Sequence, residues 1–215
     1  MSKKLRDILL SFDCCLFLLL TAVFVTILVC PVIHHWDIER YGLCELSGLS
    51  KEMIQADFHR LTSYLWIWHR EPLRLAYFPM SEQGAIHFAD VKALLDSLQL
   101  IWLVSGIGSL IFGYRHIRRH EYEFIKYTAW LAIFGPIGLA LVASINFNAA
   151  FTLFHQIFFS NDYWIFDARV DPVILILPEG FFMHCFLAII LVVVLLAAAM
   201  LWLYRYYGRK ELNAV

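Results

Sequence analysis

Four long apolar runs constrain this chain more than any other feature. They cover about residues 12–33, 91–114, 127–148 and 180–204. The first is uncharged from Cys14 to Ile33, the second holds Asp96, and the fourth holds His184 one turn from its start. A bilayer core about 30 Å thick needs roughly 20 apolar residues to cross as a helix, because each residue rises about 1.5 Å. Composition agrees: 61% of the 215 residues are hydrophobic and only 16% are charged. Typical soluble domains are about 45–50% apolar. This excludes a soluble globular enzyme and a disordered chain. The net charge of -1 leaves no footprint for nucleic acid. Five cysteines form no CxxC and no metal-ligand spacing, and Cys14, Cys15 and Cys30 read as small apolar fillers. The expected fold is an all-α integral membrane protein, a single membrane domain over residues 1–215 with four transmembrane helices and an extracytoplasmic helical cap.

Charge sets the expected orientation. Lys3, Lys4 and Arg6 precede the first run, Arg115, Arg118, Arg119 and Lys126 lie in the short loop between the second and third runs, and Arg205, Arg209 and Lys210 follow the fourth run. Positive residues in short flanks stay in the cytoplasm. Both termini are therefore expected inside, with residues 34–90 and 149–179 outside. The basic start also suits a secretory leader, but the run exceeds the usual length of about 7–15 residues and no small-x-small site follows. A retained helix is expected.

The first external segment carries an amphipathic stretch. Ser50 can cap it, and Ile54, Phe58, Leu61, Leu65 and Trp68 recur at helical spacing. Such a helix either lies in the membrane interface or packs on the outer cap. Ser81 can cap the helix that becomes the second span. On that helix His87 and Asp90 sit about 60° apart, so Asp90 can orient His87 through one ring nitrogen. Lys92, Asp96 and Gln99 form a separate stripe that reads as a structural ion pair and interhelix glue. If the third helix continues past Phe147, Ser144, Asn148 and His155 share one face, and Phe151, Phe154, Phe158 and Phe159 surround His155. Polar groups at this depth favour the bundle interior, and burial favours the neutral imidazole a general base needs. Asp171-Pro172 reads as a turn, and Pro178 with Glu179 opens the last helix. His34, His35, His59, His69, His116 and His120 read as background, and His184 as a single interhelix hydrogen bond.

Three strings carry a resemblance: His87-Phe-Ala-Asp90-Val91-Lys92, Phe151 through Trp164, and Leu177-Pro178-Glu179-Gly180-Phe181-Phe182. With the helix pattern they resemble the bacterial lipoprotein intramolecular transacylase (Lit) family of Gram-positive membrane proteins, over essentially the whole chain. The resemblance implies a multi-pass protein of the bacterial cytoplasmic membrane whose site faces outward. It implies transfer of the sn-2 acyl chain of a diacylglyceryl lipoprotein to the α-amine of its N-terminal cysteine. The product is the N-acyl S-monoacylglyceryl (lyso) form. Such a shift needs no enzyme nucleophile, since the substrate supplies the amine, and no cofactor. His155 would then be the base toward the amine. His87, oriented by Asp90, would donate to the oxyanion and the leaving oxygen, or the two roles would be exchanged. Asn148, Trp164 and Glu179 would support them. No metal is expected, the partners are lipoprotein and membrane lipid, and the expected state is a monomer. Competing readings are a haem-binding protein ligated by His87, His155 or His184, a quinone-linked redox protein, and a non-enzymatic membrane scaffold. The quinone-linked reading lacks an external cysteine pair, since only Cys44 lies clearly outside.

Overall fold

The computed structural model describes residues 2–212. Its elements are α1 (Lys3–Arg40), α2 (Leu43–Ser47), α3 (Lys51–Tyr64), α4 (Glu82–Arg118), α5 (Glu123–Ile145), α6 (Phe147–Phe158), a short 3-10 turn (Pro172–Ile176) and α7 (Glu179–Leu212). No strand occurs among the described residues. Three helices are long and apolar enough to cross a membrane: α1, α4 and the Glu179–Lys210 stretch of α7. The third apolar run of the sequence forms α5.

The chain divides into two compact units. The first holds residues 1–25, 100–141 and 188–215. Its core is built from small residues, with Ala22, Ala132 and Ala197 fully buried beside Cys15 and Val193. Small side chains let helix backbones approach closely where lipid removes the hydrophobic drive for association. Two polar pairs link helices here: Trp102 Nε1–H donates to Thr21 Oγ1 at 2.9 Å, and Ser109 Oγ–H donates to Asp13 Oδ2 at 2.9 Å.

The second unit holds residues 26–99 and 142–187. Its core gathers Ile38, Leu43, Ile54, Phe58, Phe88, Val173, Ile176 and Phe181. Ile54, Phe58 and Leu61 of α3 point into this core, so the amphipathic helix packs on the cap. Ser50 Oγ accepts from Met53 N as the sequence suggests. Asp57, buried on the same helix, accepts from the backbone N–H groups of Ala76, Tyr77 and Phe78 and so ties down the stretch before α4. Lys92 bridges Asp96 and the Trp66 carbonyl, and Gln99 bonds Ile67 N and Leu65 O, which makes that stripe structural.

One expectation about continuity is corrected. The third helix does not run through to His155. It ends at Ile145, and Asn146 adopts an extended backbone (φ -157°, ψ 97°) whose side chain accepts from Ala149 N and starts α6. A capping residue cannot itself be helical, so the single face expected for Ser144, Asn148 and His155 is interrupted. The side chain of Ser144 lies outside the described residues.

Candidate active site

His87 comes from the second turn of α4, whose start is tightly specified. Ser81 Oγ accepts from Gly84 N, while the Ser81 N–H and O–H groups both donate to Asp171, each at 2.7 Å. Gly84 has no room for a side chain, because a Cβ there would lie 2.5 Å from Asp171 Oδ1. The Asp171-Pro172 turn thus clamps the helix that presents His87. His155 comes from α6 and faces inward, while Leu153, Phe154, Ile157 and Phe158 of the same helix are exposed.

The two imidazoles meet. Their ring centroids are 5.9 Å apart, with His87 6% and His155 8% exposed. Aromatic rings enclose them: Phe159 and Phe166 lie 5.1 and 5.5 Å from His87, and Phe151 lies 4.2 Å from His155. Trp164 stacks on His155 at 4.8 Å. His155 Nδ1–H donates to the Phe151 carbonyl at 2.7 Å. A carbonyl only accepts, so the proton sits on Nδ1 and Nε2 keeps its lone pair. By contrast, His87 Nδ1 and the Trp164 indole nitrogen are buried and have no hydrogen-bond partner. Buried polar atoms without partners are uncommon and point to a partner that arrives with a ligand.

Burial in this aromatic box pushes His87 down to about 4, helped by the neighbouring His155 and opposed by Asp90. Burial also lowers His155, opposed by its bond to the Phe151 carbonyl. Both rings are therefore neutral at neutral pH.

The supporting residues fall elsewhere than expected. Asp90 does not hydrogen-bond His87. Its Oδ2 accepts from Asn161 Nδ2 at 3.0 Å, and Asn161 Oδ1 in turn accepts from Tyr163 N. Asp90 thus anchors the loop that carries Trp164. Asn148 and Glu179 meet each other at 3.2 Å, tying the first turn of α6 to that of α7. Neither of them bonds a histidine of the pair. Sequence reasoning missed Asn161, Phe166 and the clamp role of Asp171, whose partners are remote in the chain. It also missed Asp37, which accepts from His184 Nδ1 at 2.9 Å. The background histidine His34 donates its Nε2–H to the Ile176 carbonyl at 2.8 Å and stacks on Phe58.

A helical, membrane-integral chain with two neutral imidazoles in an aromatic pocket is suited to acid–base chemistry on an apolar substrate. Comparison sharpens that class. The profile of the lipoprotein intramolecular transacylase Lit family matches residues 8–182. The in meso structure of the membrane-integral lipoprotein intramolecular transacylase Lit from Bacillus cereus is similar, with TM-score 0.93 and 32% identity, covering 97% of this chain and 96% of that one. Structures of the Bacillus cereus protein with a histidine-to-alanine and a histidine-to-arginine substitution give TM-scores of 0.87 and 0.84 at 31% and 30% identity. They cover 97% of this chain and 94% and 95% of theirs. A search of curated protein sequences returns no match. The chain belongs to the lipoprotein intramolecular transacylase family and is an acyltransferase. The redox and scaffold readings are set aside with it.

Proposed function

We propose that this enzyme moves the sn-2 acyl chain of a diacylglyceryl lipoprotein to the α-amine of the lipoprotein's N-terminal cysteine, using His155 and His87. The observation that carries the reading is the pair of neutral imidazoles, 5.9 Å apart, beside unpartnered nitrogens on His87 and Trp164. His155 Nε2 takes a proton from the amine as it attacks the ester carbonyl. The oxyanion is met by N–H donors on His87 and Trp164. Collapse of the tetrahedral intermediate forms the amide and breaks the ester C–O bond. His87, at about 4, holds no spare proton at neutral pH. The leaving oxygen therefore receives the proton that His155 removed, and the reaction is neutral overall. Enclosure of amine and ester in one pocket adds the advantage of proximity, worth up to roughly 7–11 kcal/mol in well-oriented systems.

The exposed apolar face of α6 with Phe154 and Phe158, and the Phe151–Phe182 contact at 5.1 Å, suit the acyl chains. In this reading α5 is the fourth span, both termini are cytoplasmic, the histidines face outward from the bacterial cytoplasmic membrane, and the enzyme acts as a monomer. The test is to express His87→Asn and His155→Asn in a host lacking the activity and to read lipoprotein N-terminal peptides by mass spectrometry. Each variant is expected to lose the N-acyl lyso form by about 10²–10⁴-fold in rate. A variant that keeps the wild-type rate removes its histidine from the mechanism.

A further inference from the structure

At the other end of α4, in the first unit, three side chains converge that the transacylation does not use. The helix ends in a closed turn. Glu121 N–H donates to the His116 carbonyl and His120 N–H to the Ile117 carbonyl, each at 3.0 Å, with His120 at φ 59°. This is the Schellman arrangement, with histidine where glycine is usual. A non-glycine residue held at positive φ is uncommon and strained. The turn folds Glu121 back beside His116, and Asp7 of α1 completes the group.

His116 Nδ1–H donates to the Phe112 carbonyl at 2.8 Å, so its Nε2 presents a lone pair. That nitrogen lies 3.5 Å from Asp7 Oδ1 and 3.8 Å from Glu121 Oε2. All three ligand atoms fall within 4.8 Å of one another, and each is buried without a hydrogen-bond partner. Asp7 is 3% and His116 6% exposed. Three lone-pair atoms facing each other away from water are costly unless positive charge, a cation or a proton, lies among them. Arg6 supplies part of it, donating to Glu121 Oε1 at 3.3 Å, but it neutralises only one of the two carboxylates.

We propose that Asp7, His116 and Glu121 bind one divalent metal ion of the zinc class, which fastens the start of α1 to the turn after α4. Zinc takes imidazole nitrogen and carboxylate oxygen at about 2.0–2.2 Å in tetrahedral geometry, which sets ligand atoms roughly 3.3–3.5 Å apart. The two measured edges need only a few tenths of an ångström of closure. The Phe112 carbonyl on Nδ1 and Arg6 on Oε1 are the outer contacts that fix ligand orientation in such sites.

The experiment uses the full chain in detergent, purified without a histidine tag and stripped by chelator. Zinc chloride at about a hundred times its dissociation constant is expected to raise Tm by about 5 °C or more. One equivalent of zinc should survive desalting, by elemental analysis. Asp7→Asn and His116→Gln should each lose both effects, while His59→Gln, which alters an exposed histidine in the other unit, should keep them. Should the variants fail to fold, Co2+ added to the stripped wild-type chain should give the visible d–d bands of a four-coordinate site. No retained zinc and no Tm rise in the wild-type chain, retention in His116→Gln, or cobalt bands of six-coordinate strength would overturn the proposal.

Discussion

His155 and His87 differ in what the fold does to their nitrogens, and the pH behaviour follows from that. Both are neutral above their ordinary range, so neither imposes a limb on the rate near pH 7. The substrate amine, with a pKa near 8, does. The rate is expected to rise with pH to a plateau above about 8, and a bell centred near pH 7 would contradict the assignment. Stability has its own window. Because His87 titrates near 4 when folded, against 6.5 when unfolded, the unfolded chain binds more protons between those values. Tm is therefore expected to fall as pH drops from 6.5 toward 4, and His87→Phe should flatten that slope. Asp90 separates two ideas of support. If it anchors the Trp164 loop through Asn161, Asp90→Ala lowers the rate by about tenfold. Its pH profile stays put. If it oriented His87, the profile would shift. Helical period made His87 and Asp90 legible as neighbours, but Asn161, 71 residues on, competes for the carboxylate and no local pattern announces it.

At the scale of elements, the apolar runs and the caps at Ser50 and Ser81 were readable because each depends on residues a few positions apart. The break at Asn146 was not. Apolar residues continue on both sides of it, so periodicity carries the eye through, and only the backbone shows that Asn146 caps a new helix. Asn146→Ala is expected to cost about 1 kcal/mol. It should also let α5 and α6 run together, which re-aims His155, so activity should drop further than Tm suggests. The clamp at the start of α4 gives an opposite contest of terms. Alanine in place of a helical glycine gains up to about 1 kcal/mol in propensity. At Gly84, however, the new Cβ meets Asp171 Oδ1 at 2.5 Å and Phe166 Cε1 at 3.0 Å. Overpacking of this kind costs about 1–3 kcal/mol, before the two Asp171 hydrogen bonds to Ser81 are disturbed. Gly84→Ala should therefore lower Tm, by several degrees at about 2–4 °C per kcal/mol. A higher Tm would mean that Asp171 can move aside at no cost.

For the whole molecule, the proposed orientation in the membrane rests on charge. Ten of the 17 Lys and Arg residues flank the N-terminus, the α4–α5 turn and the C-terminus, all in the first unit. The second unit holds the other seven, with thirteen acids among them. Positive flanks resist export, so the proposed orientation keeps these three flanks in the cytoplasm and the histidine pair outside. That side also suits the chemistry, because a lipoprotein's diacylglyceryl group lies in the outer leaflet once its peptide has been exported. Two exposed positions test the assignment in a Cys44→Ser background: Arg169→Cys in the second unit and Arg119→Cys in the first. A membrane-impermeant maleimide should label the first variant in intact cells and the second only after the cells are permeabilised. The reverse pattern would put His87 and His155 in the cytoplasm, where a diacylglyceryl substrate in the outer leaflet could not reach them, and the acyl-transfer mechanism would have to be abandoned even if both histidine variants were inactive.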